Sequence, residues 1–213
     1  MFYDGADTSP AALVNFTDAM QPVDSTFEVR PSMYNWTLAA DPDREALRGL
    51  HARFQVITIV ADRAALQVLH DTYLDMLSSM LADVADLVAA LVFVPISEKF
   101  LTASAVNSGD PMDVDTAAAP YLFVEQTSLW SDGGDGAKID SFLEAYNANV
   151  TARLSAVDNV LLPYLYLNYA DSTQDVFRGY PRDNVLRLQS IRDKYDPNKV
   201  FTNQMPGGWK VKK

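Results

Sequence analysis

A tyrosine-rich segment near the carboxyl end of the chain carries the side chains best suited to bind an organic molecule. Residues 161–169 read Leu-Leu-Pro-Tyr-Leu-Tyr-Leu-Asn-Tyr, a run that predicts a β-strand. Side chains alternate between the two faces of a strand, so Tyr164, Tyr166 and Asn168 are expected on one face. Phenol rings stack on flat molecules while hydroxyl and amide groups orient them, so this face is a predicted substrate contact. The alternative is that the rings pack against neighbouring side chains in a core.

Two residues are candidates for catalytic proton transfer, Tyr166 and Glu125. A tyrosine acts as a base near neutral pH only when a cation or a hydrogen bond stabilises its anion. Glu125 lies in the run Tyr-Leu-Phe-Val-Glu-Gln-Thr at 121–127, and a carboxylate buried among apolar residues is suited to acid–base work. A solvent-facing or edge-strand carboxylate is the alternative interpretation of Glu125.

Other kinds of chemistry find no support in the residue spacing. His51 and His70 lie far apart, with no carboxylate or cysteine at ligand spacing, so no metal site is predicted. The aspartates at 110, 113 and 115 lack the glycine and the distant glutamate of a calcium loop. Residues 133–138 lack the ending of a phosphate-binding loop, so a turn is expected there. The chain has no cysteine, which excludes disulfides and thiolate catalysis.

Composition narrows the class of protein and its partners. The 213 residues are 48% hydrophobic, enough to bury one substantial core. The formal net charge of −11 repels polyanions, so neither nucleic acid nor an anionic membrane surface is an expected partner. No run of about 18 apolar residues is present, so no membrane span is predicted.

The elements that position these residues alternate between strands and helices. Ser9-Pro10 and Asp41-Pro42 predict two short helix starts, and residues 103–120 predict a loop. Apolar periodicity predicts long helices after Asp62 and over 138–157, with a last helix over 183–195. Predicted strands cover 54–60, 87–96, 121–130 and 161–169.

This order predicts an α+β fold. The strands alternate in part between apolar and polar residues, which favours an antiparallel sheet of four or more strands with helices on one face. A parallel, doubly wound sheet is the alternative, because periodicity alone does not choose between them. Residues 1–195 are expected to form one substrate-binding domain. Residues 196–213 are expected to form an irregular arm, packed on this domain or on a partner, because prolines and a glycine pair interrupt it.

The last fifty residues resemble a known family. Tyr-Leu-Asn-Tyr-Ala-Asp at 166–171, Lys-Tyr-Asp-Pro-Asn-Lys-Val-Phe at 194–201 and Pro-Gly-Gly-Trp-Lys at 206–210 together resemble the carboxyl end of fungal berberine-bridge-type FAD-linked oxidases. The resemblance implies a substrate domain like that of vanillyl-alcohol-oxidase-type flavoproteins, whose uncovered sheet face roofs a substrate cavity. It also implies that Tyr166 corresponds to a tyrosine beside the flavin, and Asn168 to the asparagine of the motif.

The resemblance implies a substrate domain without its FAD-binding domain. The sequence has no glycine-rich flavin-pyrophosphate segment, no histidine in a flavin-attachment context and no cysteine for a covalent flavin link. The chain is therefore expected to bind no cofactor by itself, and to use FAD only when paired with a flavin-binding half. Its expected partners are a hydrophobic small-molecule substrate and either a flavin-binding chain or a second copy.

Three functions follow as hypotheses. The preferred one is a flavin-free enzyme of secondary metabolism that cyclises or isomerises a hydrophobic metabolite. The second is the substrate-binding half of an FAD-dependent oxidase, and the third is a non-catalytic binding module. The compartment stays open: cytoplasmic for a complete chain, secretory for a piece of a longer precursor. Acceptor asparagines at 15, 35 and 149 would be glycosylated in the secretory case.

Overall fold

A four-stranded antiparallel sheet organises the larger part of the protein. The computed structural model describes residues 3, 5–20, 28–105, 110, 112–115, 119–157 and 159–211. The strands are β1 (His51–Val60), β2 (Val88–Ile96), β3 (Tyr121–Trp130) and β4 (Leu161–Leu162), in the spatial order β2-β3-β1-β4. All of their pairings are antiparallel, which confirms the predicted α+β fold.

The chain divides into two units, Met1–Arg48 and Gly49–Lys213. The first unit contains a π-helical turn, Asn15–Ala19, and two short helices, α1 (Met33–Ala39) and α2 (Asp41–Ala46). The Asn35 backbone N–H donates to Ser32 Oγ at 3.2 Å, which caps the start of α1. The expected helix after Ser9-Pro10 forms only the π-helical turn, and α1 was not predicted.

The described part of the second unit contains five α-helices. They are α3 (Arg63–Met80), α4 (Glu98–Ala105), α5 (Gly136–Leu154), α6 (Arg182–Tyr195) and α7 (Val200–Asn203). The predicted cap of α3 is confirmed, because the Ala65 N–H donates to Asp62 Oδ1 at 2.8 Å. Helix α4 occupies the first residues of the predicted loop 103–120, of which residues 106–109, 111 and 116–118 lie outside the described chain.

Helices α3 and α5 cover one face of the sheet. The predicted apolar stripe of α5 is fully buried there, packed against the inward side chains of β1 and β3. A polar contact also joins α5 to this face, where the Asn147 carboxamide exchanges hydrogen bonds of 2.8 and 2.9 Å with Gln126 and donates to Gln55 Oε1 at 2.6 Å. The stripe consists of Ile139, Phe142, Leu143, Tyr146, Val150 and Leu154.

The opposite face, here called the second face, is only half covered. Its covered half forms a second apolar core around Val56, Tyr121 and Phe123, under residues 163–180. Its other half leaves Phe54 38%, Val88 46% and Val92 39% exposed. We call Phe54, Val88 and Val92 the exposed strip. A domain with helices on one face thus presents an apolar surface on the other.

The predicted fourth strand is wrong beyond Leu162. Only Leu161 and Leu162 pair with β1, and the chain then leaves the sheet at Pro163. Proline has no N–H to donate to the ladder, which explains why the pairing stops there. The Tyr169 N–H then donates to the Tyr166 carbonyl at 2.9 Å, which closes a turn. Tyr166, Asn168 and Tyr169 therefore lie on a turn above the sheet.

The carboxyl-terminal segment lies against its own unit. The Asp196 carboxylate accepts hydrogen bonds from the Thr202 N–H at 2.9 Å and the Phe201 N–H at 3.3 Å, so it holds the start of α7. Trp209 Nε1 donates to the Leu167 carbonyl at 2.8 Å, and the Arg192 guanidinium donates to the Val211 carbonyl.

Among the described helices, none is long and apolar enough to cross a bilayer.

Candidate functional site

Tyr166 lies on the second face above β3. Its ring stacks on Phe123 with centroids 5.3 Å apart and planes 17° from parallel. The turn that follows Pro163 brings it there, and the side chain remains half-buried. A phenol held flat by an aromatic neighbour has its hydroxyl fixed in place.

Asn168 holds the Tyr166 hydroxyl from the side. Asn168 Nδ2 donates a hydrogen bond to Tyr166 Oη at 2.7 Å, and the Asn168 side chain is exposed. This hydrogen bond fixes the position of the hydroxyl, and a positioned hydroxyl is the geometry that proton transfer requires. The structure therefore places these two residues, both predicted from the sequence, in direct contact.

Tyr169 joins them from the end of the turn. Its ring packs edge-on against Tyr166 with centroids 5.0 Å apart. Burial raises the pKa of Tyr169, and the carboxylate of Glu125 and the phenol of Tyr166 raise it further. Strand periodicity assigned Tyr169 to the face opposite Tyr166, so sequence reasoning missed it. Pro163 was the signal that the strand ends early.

Glu125 lies on the same face, in the middle of β3. It is 9% exposed and stands between Val56 of β1 and Val92 of β2. Thr127 Oγ1 donates to Glu125 Oε1 at 2.6 Å. The structure thus places the carboxylate in the sheet interior, next to the exposed strip and within electrostatic reach of Tyr169. We call Glu125, Tyr166, Asn168 and Tyr169 the Tyr166 cluster.

Tyr164, the fourth residue predicted to contact a substrate, lies apart from the cluster in the second core. It is 5% exposed, and its ring packs between Phe123 at 5.5 Å and Tyr180 at 6.3 Å. Its hydroxyl contacts Met112 Sδ at 3.1 Å, and burial raises its pKa. Its contacts support Phe123, on which Tyr166 stacks.

The Tyr166 cluster and the exposed strip together suit a flat apolar molecule. The strip offers apolar surface to the body of such a molecule, and each square ångström covered contributes about 25 cal/mol. The phenols and the amide offer directed hydrogen bonds at one end.

Among the described residues, no group of three or more histidines and carboxylates has the arrangement of a metal site.

A complete FAD does not fit these residues. The phenol rings and the exposed strip can stack on a flavin ring, but a dinucleotide also brings a pyrophosphate. Pyrophosphates are held by cations or by backbone N–H groups at a helix start. In the part of the chain described by the structure, no arginine or lysine contacts a member of the Tyr166 cluster. Neither histidine belongs to the cluster, since His51 stacks on Trp130 and His70 contacts Asp71.

Comparison with known proteins finds a family model at the same segment. Residues 165–206 match the model described as berberine and berberine like. This range contains Tyr166, Asn168 and Tyr169, all of helix α6 and helix α7. No solved structure matches the chain significantly.

Similar curated proteins come from fungi. An FAD-dependent monooxygenase of Cochliobolus heterostrophus is 27% identical over 82% of this chain and 34% of its own length. The bifunctional solanapyrone synthase of Alternaria solani is 32% identical over 55% of this chain and 22% of its own length. A protein of Diaporthe leptostromiformis named an oligopeptidase is 25% identical over 94% of this chain.

The chain spans only a part of each of these relatives, 17% of the oligopeptidase and about a third or less of the other two. The segment matched by the family model is the one that carries the turn of Tyr166 and Asn168. Residues 165–206 are thus similar to the segment described as berberine and berberine like, and the chain as a whole is similar to parts of fungal FAD-dependent monooxygenases.

Proposed function

We propose that the chain is a small-molecule enzyme of secondary metabolism that binds a hydrophobic metabolite on the second face of its sheet. Tyr166 transfers a proton to or from that metabolite. The hydrogen bond from Asn168 to Tyr166 carries the proposal, because it fixes the phenol oxygen in one position, as proton transfer requires. The names of the relatives support the enzyme class.

The reaction proposed is a redox-neutral cyclisation or isomerisation. Such a reaction moves protons and double bonds within one molecule, and no electrons leave it. In this proposal Tyr166 gives or takes the proton at one atom of the metabolite, and Glu125 serves a second position on the same face. The exposed strip holds the apolar body, which limits the conformations from which the molecule reacts.

A second candidate function is the substrate-binding part of an FAD-dependent oxidase. The names of the relatives favour it, because several are FAD-dependent monooxygenases of which this chain spans a part. In that case a separate flavin-binding half would accept hydride from the metabolite, and Tyr166 would remove the accompanying proton. A binding module without catalysis would keep the exposed strip and need no proton transfer.

Replacing Tyr166 by phenylalanine tests the proposal. The Tyr166→Phe change keeps the ring on Phe123 and removes only the hydroxyl. The variant should convert polyene and quinone-like substrates about a hundredfold more slowly, the usual contribution of a positioned acid or base. Tyr195→Phe is the matched control, because Tyr195 is 72% exposed and far along the chain from the turn.

Oxygen uptake and visible absorption separate the candidates. Turnover without oxygen uptake by a colourless sample supports the redox-neutral enzyme. A yellow sample, or turnover that depends on added FAD and consumes oxygen, supports the oxidase instead. Equal rates for the Tyr166→Phe variant and the unmodified chain would remove Tyr166 from the mechanism.

A further inference from the structure

We propose that a groove in the second unit binds a small organic anion with an aromatic body. The groove lies between residues 170–178, helix α6 and the arm at 207–210, and its volume is about 880 Å³. This volume lies within the range of small-molecule sites. The Tyr166 cluster does not line the groove, so this inference is independent of the proposed function.

Residues 170–178 form one wall of the groove, here called the first wall, and Gln174 binds this wall to the sheet. Its carboxamide accepts from the Val56 N–H at 3.1 Å and donates to the Val56 carbonyl at 2.8 Å. The side chain therefore occupies the place of a strand partner on the edge of β1. Val176, two residues later, is fully buried. These contacts hold the first wall without a ligand.

Residues 207–210 form the opposite wall, here called the second wall. Hydrogen bonds of the residues before and after Lys210 hold this wall in place. Trp209 donates from its indole N–H to the Leu167 carbonyl at 2.8 Å, and the Val211 carbonyl accepts from Arg192. Lys210 therefore lies between two anchored residues and lines the groove. A groove with two anchored walls requires little ordering on binding, so less of the interaction free energy is lost.

The charges in the groove oppose the charge of the chain. Arg178 and Lys210 line it, against one carboxylate, that of Asp175. In the described part of the protein neither cation forms an ion pair, although the whole chain carries a net charge of −11. Two cations in one concave site attract a carboxylate or a phosphate, and the guanidinium can hold either with two hydrogen bonds.

Aromatic rings supply the remaining specificity. Phe177 and Trp209 both line the groove. The Phe177 ring packs edge-on against Tyr180 with centroids 5.4 Å apart. The hydrogen bond from the Trp209 indole to the Leu167 carbonyl fixes the orientation of the second ring. Fixed rings favour a ligand with a flat body. The groove therefore fits an aromatic acid better than a sugar phosphate or an inorganic ion.

Calorimetric titration with cinnamate and cinnamamide tests this site. The two molecules share one body and differ in the charge of the head group. Cinnamate should bind at least about tenfold more tightly, since a charge-assisted hydrogen bond contributes that much. The double variant Arg178→Gln/Lys210→Gln should lose this preference. The control double variant Arg63→Gln/Lys99→Gln changes the net charge equally at residues outside the groove.

Two further measurements place the anion in the groove. Asn168→Ala should leave the affinity for cinnamate unchanged, because Asn168 does not line the groove. Circular dichroism should show that the groove variants stay folded, since Arg178 is exposed and Lys210 half-buried. Equal affinity for cinnamate and cinnamamide, no binding of cinnamate at millimolar concentration, or equal loss in both double variants would overturn the proposal.

Discussion

Asn168 Nδ2 lies 2.7 Å from Tyr166 Oη, and the two side chains meet across a turn that lies on the sheet. The turn depends on Pro163, which ends β4 after two residues. The hydrogen bond, the stacking on Phe123 and the edge contact with Tyr169 together fix one hydroxyl beside an apolar surface.

Replacing Asn168 by alanine should slow turnover about fivefold. The change removes the donor that supports the Tyr166 oxygen, and one such hydrogen bond contributes about 1 kcal/mol. Substrate affinity should change much less than the turnover number, because the exposed strip remains intact. Steady-state kinetics measure both quantities. Asn203→Ala, an exposed change in α7, is the control, and equal losses in the two variants would argue against a role for the bond.

Replacing Glu125 by glutamine should lower the pKa of Tyr169. Burial raises that pKa first and the Glu125 carboxylate raises it further, so removing the negative charge makes the phenolate easier to form. The pKa should fall only in part, since burial persists. Ultraviolet absorption measures tyrosine ionisation during a pH titration. The difference between the titration curves of Glu125→Gln and of Glu125→Gln/Tyr169→Phe is the titration of the Tyr169 phenol. An unchanged Tyr169 titration would mean that the carboxylate and the phenol do not interact.

Replacing Tyr73 by phenylalanine should reduce the loss of folding stability at high pH. Burial raises the pKa of Tyr73 to about 12, and in the described chain its hydroxyl has no hydrogen-bond partner. The raised pKa contributes stability that is lost as pH rises from about 10, where the unfolded chain ionises, towards 12. Relative to the unmodified chain, the variant should gain about 1 kcal/mol between pH 7 and pH 11. Urea unfolding at pH 7 and pH 11 measures this, with a change at the exposed Tyr195, Tyr195→Phe, as the matched control.

Replacing Asn147 by alanine should destabilise the second unit by about 2–3 kcal/mol. The change leaves the buried Gln126 amide and Gln55 without their partner on α5, and unpaired buried groups are costly. Urea unfolding followed by circular dichroism gives the free energy. Asn149→Ala, two residues along the same helix but exposed, should cost less than about 0.5 kcal/mol. Similar losses in both variants would show that the amide contacts add no stability.

The sequence predicted those features that depend on neighbouring residues. The stripe of α5 repeats at three and four residues, and every predicted member is buried. Asp62 precedes an apolar helix and caps it as expected. Partial alternation in β1 and β3 predicted a sheet with one face left open by the helices.

Features that depend on distant contacts were missed. Gln174 pairs with Val56, 118 residues away, and no local pattern announces such a pairing. Strand periodicity extended through Pro163 predicts Tyr169 on the face opposite Tyr166, whereas the turn brings the two rings into contact. The α1 helix carries exposed apolar side chains and no clear stripe, so periodicity did not predict it.

The most direct test of the central claim is to locate a neutral apolar ligand on the second face. Methyl-labelled valine spectra recorded with N-phenyl-1-naphthylamine should show shifts at Val88 and Val92, which are exposed, and none at Val150, which is buried under α5. Val92→Lys should remove the shift at Val88 and weaken binding at least about tenfold, because a charge then stands in the apolar strip. Shifts confined to valines outside the strip, or equal affinity for the Val92→Lys variant, would contradict the claim that this face binds the substrate.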